Sequence, residues 1–248
     1  MNSLVQRIIK TLAESAQGIR ISDVRIGLRY IGVQLDNGSI GVSYNFPENV
    51  KCESLSFPDQ QRLANRNAAD VLPWLLSDHQ IHRSLGLAVA NGLATSRKLV
   101  SIGGDIRLVA RIHPGDRAVM VGNFEPIAND LREDCVLLIY DLKETRGTNR
   151  SNSPPVEEAL TKSDVALISA TSIINGTAES LLDAAIGNRE VVILGPSTPL
   201  VPEAFANTPV TLLSGVCAEN PEVLSVISEG GGMQTFKPYV RKVNCRLK

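Results

Sequence analysis

The sequence lacks the features that mark several large classes of protein. Its 248 residues contain 25 Lys and Arg against 26 Asp and Glu, a formal net charge of -1, so no overall field attracts nucleic acid or an anionic membrane. No apolar run approaches the roughly 18 residues that a membrane-spanning helix needs. These absences predict a protein with no nucleic-acid partner and no membrane partner, and 43% hydrophobic residues are ample for a core of its own.

Cysteine is scarce and scattered. The four cysteines are Cys52, Cys135, Cys217 and Cys245, and no two of them form a C-x-x-C pair. This spacing argues against a zinc ribbon, a thioredoxin-type redox site and a disulfide framework. Reduced thiols fit best, and the N-terminus is amphipathic rather than signal-like, so we expect a cytoplasmic protein.

Three nucleotide-binding and catalytic motifs are also missing. The sequence has no G-x-x-x-x-G-K-[ST] loop for P-loop hydrolysis and no G-x-S-x-G elbow for a hydrolase nucleophile. At the first predicted strand of the second half, Gly122 is followed by Asn123 and Phe124, so the glycines of a G-x-G-x-x-G fingerprint are absent and ordinary NAD binding is not expected. Asp141 stands about 20 residues further on, where an acidic residue would meet a ribose hydroxyl. An enzyme that uses an adenosine-containing cofactor is therefore kept as the alternative function.

The first half of the sequence predicts a helix, a hairpin and further helices. Leu4, Ile8 and Leu12 recur at helical spacing near the N-terminus. Two β-rich runs between residues 25 and 46 are joined at Asn37-Gly38, a dipeptide that supplies the positive φ of a tight hairpin turn. Apolar residues at helical spacing follow, over residues 67–78 and 81–95.

The second half predicts a parallel sheet. Nearly continuous apolar runs alternate with helical patterns, which is typical of strands buried on both faces and connected by helices. Strands are predicted over residues 117–124, 136–142, 165–174 and 190–198, and helices from 125, around 156–160 and over 178–186. We therefore predict an α/β protein with a smaller α+β domain over residues 1–100 and a Rossmann-like domain over 101–248, joined within residues 96–116.

Small polar residues follow the predicted parallel strands. Ligands of an open parallel sheet bind beyond the carboxyl ends of its strands, near the point where strand order reverses. The loops at these ends are 122–126, Asp141, 169–177 and 195–199. Each has a plain structural reading, as when Thr177 or Asn175 only caps a helix. Four such loops at one edge favour a site for a polar ligand.

Two further patterns have both a functional and a structural interpretation. His79 and His82 have the spacing of two metal ligands on one helix face, but such pairs are common and a helix boundary is predicted just before them. Gly230 alone would cap the preceding helix, and Gly231 and Gly232 exceed that need: the glycines could form a nest of N–H groups for an anion, or let the last strand pass close to a partner.

The order of several segments resembles the family called putative heavy-metal chelation. These segments are "VGNFEPI", "SATSIINGTAESLL", "VILGPSTPL" and "SEGGG", behind the hairpin "IGVQLDNGSIGVSYNF". The resemblance spans nearly the whole chain and implies an enolase-amino-terminal-like domain followed by a Rossmann-like domain. It also implies a ligand cleft where the two domains and two subunits meet, and hence a homodimer.

The resemblance implies that both domains contact the ligand. The implied residues are Gly122, Asn123, Phe124, Thr171, Asn175, Gly176, Thr177, Gly195, Pro196, Ser197 and Thr198, with Asn45 and Asn91 from the smaller domain. Because these loops contain no cysteine or histidine, a small organic chelator or its metal complex fits better than a bare soft metal. We expect metal handling through a small polar, anionic or metal-complexed ligand, with a metal ion or metal–chelator complex as cofactor; no residue stands out as a catalytic nucleophile.

Overall fold

A computed structural model of the protein describes residues 3–46, 62–97, 100–141 and 154–247. Within these ranges ten strands form one mixed sheet in the order β1-β2-β3-β9-β8-β7-β5-β6, and β10 pairs with β9 and β4. The strands are β1 Ile21–Ile26, β2 Tyr30–Leu35, β3 Ile40–Tyr44, β4 Ile102–Gly103, β5 Arg117–Val121, β6 Val136–Tyr140, β7 Val165–Ser169, β8 Glu190–Leu194, β9 Leu212–Ala218 and β10 Val240–Arg246.

Helices cover the sheet and connect its strands. The α-helices are α1 Leu4–Leu12, α2 Ala68–Val71, α3 Gln80–Thr95, α4 Ile106–Val109, α5 Glu125–Asp134, α6 Val156–Thr161, α7 Thr171–Asn175, α8 Ala178–Ala184, α9 Glu222–Ser228 and α10 Met233–Phe236; Leu72–Leu76, Pro202–Phe205 and Lys237–Tyr239 are 3-10 turns. No helix in the described part of the chain combines the length and apolar character of a membrane span.

Helix α1 packs on α3 of the first half of the sequence and also contacts the second half. A reciprocal pair of hydrogen bonds between Ser3 and Gln6 caps its N-terminus. The N–H of Leu4 donates to Glu179 Oε1 of α8 at 2.7 Å, and Arg7 Nε donates to the carbonyl of Ala204 at 2.8 Å. The predicted amphipathic helix is confirmed, and these contacts tie the two halves together.

The predicted hairpin is confirmed and gains a third strand. Gly38 has a φ of 83° in the turn between β2 and β3, so the Asn-Gly signal identified the turn correctly. β1 pairs antiparallel with β2 on the other side, with Ile26 opposite Ile31. Strand β1 was not predicted, because it is an edge strand with exposed polar residues and has little apolar periodicity.

Helix α3 lies directly on strand β3. Residues 84–94 of α3 are all buried, as expected for a helix surrounded by protein on every side. A Cβ atom built on Gly41 of β3 would lie 1.9 Å from the carbonyl oxygen of Ala88 and 2.2 Å from the nitrogen of Gly92. The two backbones therefore touch, and only a residue without a side chain fits at Gly41.

The second half contains the predicted parallel sheet, so the α/β fold class is confirmed. Strands β6-β5-β7-β8-β9 are parallel neighbours. Numbered from β5, this order is 2-1-3-4-5, a doubly wound arrangement whose order reverses between β5 and β7. Alternate residues of each strand enter different cores: Ala166 and Ile168 pack on one face, and Val165 and Leu167 pack on the other. The division into domains at residue 100 stays a prediction.

Element bounds in the second half differ from the sequence-based prediction. The predicted strands 117–124 and 190–198 end at Val121 and Leu194. The predicted strand 165–174 ends at Ser169, and Thr171–Asn175 forms the short helix α7, whose Ile173 and Ile174 enter the main core as helical side chains. Strand β9 was not predicted because Ser214 and Gly215 interrupt its apolar run. It pairs with β8, with β10 and, through Ala218 and Ile40, with β3.

The contact at Gly41 yields a stability prediction. Replacing Gly41 with Ala should destabilise the protein by at least about 3 kcal/mol, because the new methyl group would overlap helix backbone that cannot rotate away. Gly187→Ala is the matched control, since a Cβ at Gly187 meets nothing within 4 Å, and its effect should stay within about 1 kcal/mol. Urea unfolding followed by circular dichroism measures the free energy of unfolding of both variants. An equal loss of stability in the two variants would contradict the backbone contact.

Candidate functional site

The tips of β5, β7 and β8 meet around the ring of Phe124. A Cβ built on Gly122, after β5, would lie 2.9 Å from Ser169 Cβ at the end of β7 and 3.4 Å from a ring carbon of Phe124. A Cβ built on Gly195, after β8, would lie 3.5 Å from two other ring carbons of Phe124. Both glycines have positive φ, 94° and 111°. The half-buried ring therefore bridges Gly122 and Gly195 at the point where strand order reverses.

Two hydroxyl groups lie at the tip of β7. Ser169 Oγ and Thr171 Oγ1 are 2.8 Å apart, and the N–H of Thr171 donates to Ser169 Oγ at 3.3 Å. Thr171 is one of the implied ligand residues and Ser169 is not, although Ser169 begins the predicted polar loop 169–177, is the last residue of the strand and faces Gly122. Its place directly after an unbroken apolar run was the signal that could have found it.

The hydroxyl groups of Ser197 and Thr198 are engaged inside the protein. Both residues are 2% exposed. The N–H of Tyr44, at the end of β3, donates to Ser197 Oγ at 2.8 Å, and Thr198 Oγ1 donates to the carbonyl of Ser214 in β9 at 3.0 Å. They thus hold the loop after β8, including the half-buried Pro196, against both halves of the fold.

Asn45 and Asn91 hold the first half together. Asn45 Nδ2 donates to the carbonyl of Gly27 at 2.9 Å, and Asn91 Nδ2 donates to the carbonyl of Val42 at 2.8 Å. Both side chains are buried. Asn91 Oδ1 is buried without a hydrogen-bond partner, so one acceptor of this amide is unused.

Asn175, Gly176 and Thr177 form a turn between α7 and α8. Asn175 Oδ1 accepts hydrogen bonds from the N–H and the hydroxyl of Thr177 at 3.1 and 2.8 Å, and Gly176 ends α7 with a φ of 81°. Gly176 and Thr177 are exposed. The length of α7 separates this turn from the strand tip, and the capping interpretation accounts for its residues.

Asn123 directly follows Gly122, and Asp141 lies beside Gly122 at the end of β6. Asn123 is exposed and its Nδ2 donates to Glu125 Oε1 at 2.8 Å. The pairing of Val121 with Tyr140 brings Asp141 beside Gly122, whose N–H donates to the Tyr140 carbonyl at 2.7 Å. Burial, and secondarily Glu158, raise the pKa of Tyr140, whose neutral hydroxyl donates to the carbonyl of Pro154 at 2.9 Å.

An aromatic cluster from the first half adjoins the loop after β8. Tyr44, which bonds Ser197 through its N–H, packs edge to face with Phe46 at 4.9 Å and with Tyr30 at 5.5 Å between ring centroids. Burial raises the pKa of Tyr30, and Tyr44 adds to this shift. These rings were not predicted to adjoin the site, because their position next to Ser197 depends on how the end of β3 reaches the loop after β8 across β9.

The described residues do not assemble a metal centre from protein side chains. None of their His, Cys, Asp and Glu residues form a group of three or more that could hold a metal ion. His82 is buried, with Nδ1 3.2 Å from Ser77 Oγ, and His79 is exposed at the start of α3. Cys217 and Cys245 are buried thiols, and burial raises the pKa of Cys245 to about 11. Cys52 lies outside the described residues.

The glycines after α9 serve as a helix cap. The N–H of Gly230 donates to the Ile227 carbonyl at 3.0 Å and that of Gly231 to the Val226 carbonyl at 2.9 Å. This is the pair of bonds that defines a Schellman cap. A Cβ on Gly231 would lie 2.4 Å from a methyl carbon of Val226, so the second glycine is also needed for packing, and the cap interpretation accounts for both.

Comparison with known proteins gives matches in both halves of the chain. The model of the DUF364 family matches residues 105–246 and that of the DUF4213 family matches residues 9–94; both carry the description "Putative heavy-metal chelation". A crystal structure of a DUF364 protein with unknown function from Pyrococcus horikoshii superposes with a TM-score of 0.83 at 26% identity, covering 98% of this chain and 100% of that one.

Two further relatives agree with this result. A DUF364 protein with unknown function from Desulfitobacterium hafniense shares the fold, with a TM-score of 0.79 at 20% identity over 97% of this chain and 99% of that one. An uncharacterized protein of Methanocaldococcus jannaschii is 23% identical over 220 residues, which is 85% of this chain and 83% of the relative.

The bond between Tyr44 and Ser197 can be tested by its effect on stability. Ser197→Ala should destabilise the protein by about 1–3 kcal/mol, because it removes the buried hydroxyl that accepts the hydrogen bond of the Tyr44 N–H at 2.8 Å. Ser172→Ala is the matched control: the hydroxyl of Ser172 is also buried but has no partner, so its removal should be neutral or stabilising. Chemical denaturation of both variants measures this difference; a Ser197→Ala protein as stable as Ser172→Ala would contradict it.

Proposed function

This chain belongs to the DUF364 family, described as "Putative heavy-metal chelation", and from that membership we propose that it binds a small metal–chelator complex at the tips of β5, β7 and β8. The family descriptions support a role in metal handling at this coarse level. The identity of the ligand and its site are the proposal. It places the ligand between the two halves of the chain, next to Phe124 and the loop after β8.

The observation that carries the proposal is the position of the Phe124 ring across Gly122 and Gly195. An aromatic ring that is only half buried offers a flat surface on which a planar ligand can stack. The glycines leave backbone accessible on either side of it. The hydroxyls of Ser169 and Thr171 lie at the adjoining tip and can bond the polar edge of a ligand. A flat apolar surface beside a few polar groups is typical of a small-molecule site.

The chemistry of the available groups favours a metal that arrives with its own ligands. Soft metals prefer thiolate and imidazole donors, and in the described ranges no group of three such side chains or carboxylates could hold a metal ion. Hydroxyl, amide and aromatic groups suit the organic part of a complex. In this proposal Phe124 contacts the chelator's face, and Thr171 and Ser169 bond its edge.

The first half contributes through Tyr44. The N–H of Tyr44 donates to Ser197 Oγ at 2.8 Å, and the Tyr44 ring packs on Phe46. Aromatic side chains of the first half therefore adjoin the loop that carries Gly195. The proposed cleft lies between this cluster and Phe124.

A homodimer and a cytoplasmic location belong to the same proposal. The alternative, an adenosine-containing cofactor with Asp141 on its ribose, would give stabilisation by ADP that Asp141→Ala abolishes.

Two threonine variants test the proposed site. With the 1:1 complex of nickel(II) and 1,10-phenanthroline as the probe, Thr171→Val should weaken binding about tenfold, because it removes a hydroxyl that bonds the ligand edge. Thr177→Val makes the same change in the turn after α7 and should alter the dissociation constant less than about twofold. Isothermal titration calorimetry measures both, with nickel(II) alone as the reference for binding to surface histidines.

Native purification gives a second readout of the same proposal. The protein purified without added chelators should carry metal and an organic ligand in similar amounts, measured by elemental analysis and by mass spectrometry after denaturation. Failure of the nickel complex to bind, or equal losses in Thr171→Val and Thr177→Val, would contradict the site.

A further inference from the structure

We propose that this site selects its ligand by charge: it takes a flat ligand of neutral or positive net charge and rejects phosphorylated nucleotides. The inference rests on the proposed function and specifies the class of its ligand. Three features of the described residues support it: the first turn of α5, the carboxylates near Gly122, and the surface of Phe124.

The first turn of α5 lacks the groups that bind phosphate in doubly wound folds. There the phosphate meets unbonded backbone N–H groups at the start of the helix that follows the first strand. In α5 the second position is Pro126, which has no N–H, and the N–H of Ile127 donates to the Phe124 carbonyl at 2.9 Å. Of the first three helical residues, at most Glu125 offers its N–H to an anion.

The side chain of Glu125 opposes an anion at the same place. Its carboxylate belongs to the first residue of the helix. There it interacts favourably with the positive end of the helix dipole, in the place of an anionic ligand, and repels a phosphate. The same carboxylate engages the side-chain amide of Asn123, whose Nδ2 donates to Glu125 Oε1 at 2.8 Å. Arg132 Nη1 is 3.8 Å from Glu125 Oε2, and both side chains are at least half exposed, so water and salt screen this pair.

Two carboxylates stand near Gly122 at the edge of the parallel sheet where the strands end. Glu125 follows three residues after Gly122, and the pairing of Val121 with Tyr140 brings Asp141 beside it. At the same edge Glu219 is paired with Arg241 of β10 at 2.7 Å. Three further ion pairs lie at the opposite edge. These pairs are Arg117 with Asp164, Arg189 with Asp116, and Arg246 with the fully buried Glu190.

The negative charges of Glu125 and Asp141 near Gly122 attract a cationic ligand and repel an anionic one. The face of an aromatic ring acts in the same direction, since its quadrupole attracts positive charge. Phe124 is therefore suited to a planar cation or to the flat organic ligand of a metal cation. Its neighbours Gly122 and Gly195 add no charge of their own.

Probes of similar size and different charge test the selection. The 1:1 nickel(II)–phenanthroline complex should raise the melting temperature of the full chain most, neutral phenanthroline less, and ADP or inorganic phosphate not at all. Glu125→Gln should weaken the cationic complex by about two- to fivefold and leave neutral phenanthroline unchanged. Glu133→Gln is the control, since Glu133 is an exposed carboxylate near the far end of the same helix.

Variants of Phe124 separate this inference from the proposed function. Phe124→Leu should abolish the stabilisation by nickel(II)–phenanthroline, and Phe124→Tyr, which keeps the ring, should retain it. If ADP stabilises the protein and Phe124→Leu removes that effect, the site stands and the selection by charge is wrong. If no probe gives a shift that depends on Phe124, both the selection and the proposed site are wrong. Equal losses in Glu125→Gln and Glu133→Gln would also overturn the selection.

Discussion

The backbone contact between helix α3 and strand β3 is the constraint on which the rest of the structure depends. Gly41 lets the strand touch the helix near Ala88 and Gly92, and this fixes the course of β3 below a helix that is buried on every side. The end of β3 then reaches the loop after β8, where Tyr44 bonds Ser197. Because proteins pack as densely as organic crystals, a change at Gly41 displaces a segment that adjoins the candidate site, although Gly41 itself contributes no polar side chain to it.

The polar loops at the edge of the sheet divide into two kinds. Ser197 and Thr198 use their hydroxyls to join β3, β8 and β9, and Asn175 and Thr177 complete an exposed turn. Gly122, Gly195, Phe124, Ser169 and Thr171 instead meet at the reversal of strand order. The first kind provides rigidity, and the second lies where the proposed function places the ligand. A site whose supporting loop is held by internal hydrogen bonds is already arranged before a ligand arrives, which lowers the entropic cost of binding.

The family description and the chemistry of the described residues are consistent if the ligand carries the metal donors. Chelation by the protein itself would need a cluster of thiolates, imidazoles or carboxylates, and the described ranges contain none of the required size. Recognition of an existing complex needs a flat surface, a few hydrogen-bonding groups and a suitable electrostatic potential. Phe124, the hydroxyls at the tip of β7 and the carboxylates at the sheet edge match these requirements.

The sequence by itself determined the local elements and the family, and tertiary structure decided which polar groups are available. Asn37-Gly38 specified the hairpin, the spacing of Leu4, Ile8 and Leu12 specified α1, and the apolar runs specified β5 to β8, because these signals depend on near neighbours in the chain. Strand β9 was missed because Ser214 and Gly215 interrupt its apolar run, and the aromatic cluster at Tyr44 was missed because contact between distant segments defines it. Gly122, Phe124 and Gly195 could be named from the sequence, but only the fold shows that they meet. The sequence also could not distinguish the hydroxyls of Ser197 and Thr198, which bond within the protein, from hydroxyls that bind a ligand. A hydroxyl has the same chemistry in a loop or in a core, and only the partner that the fold brings within about 3 Å decides its role.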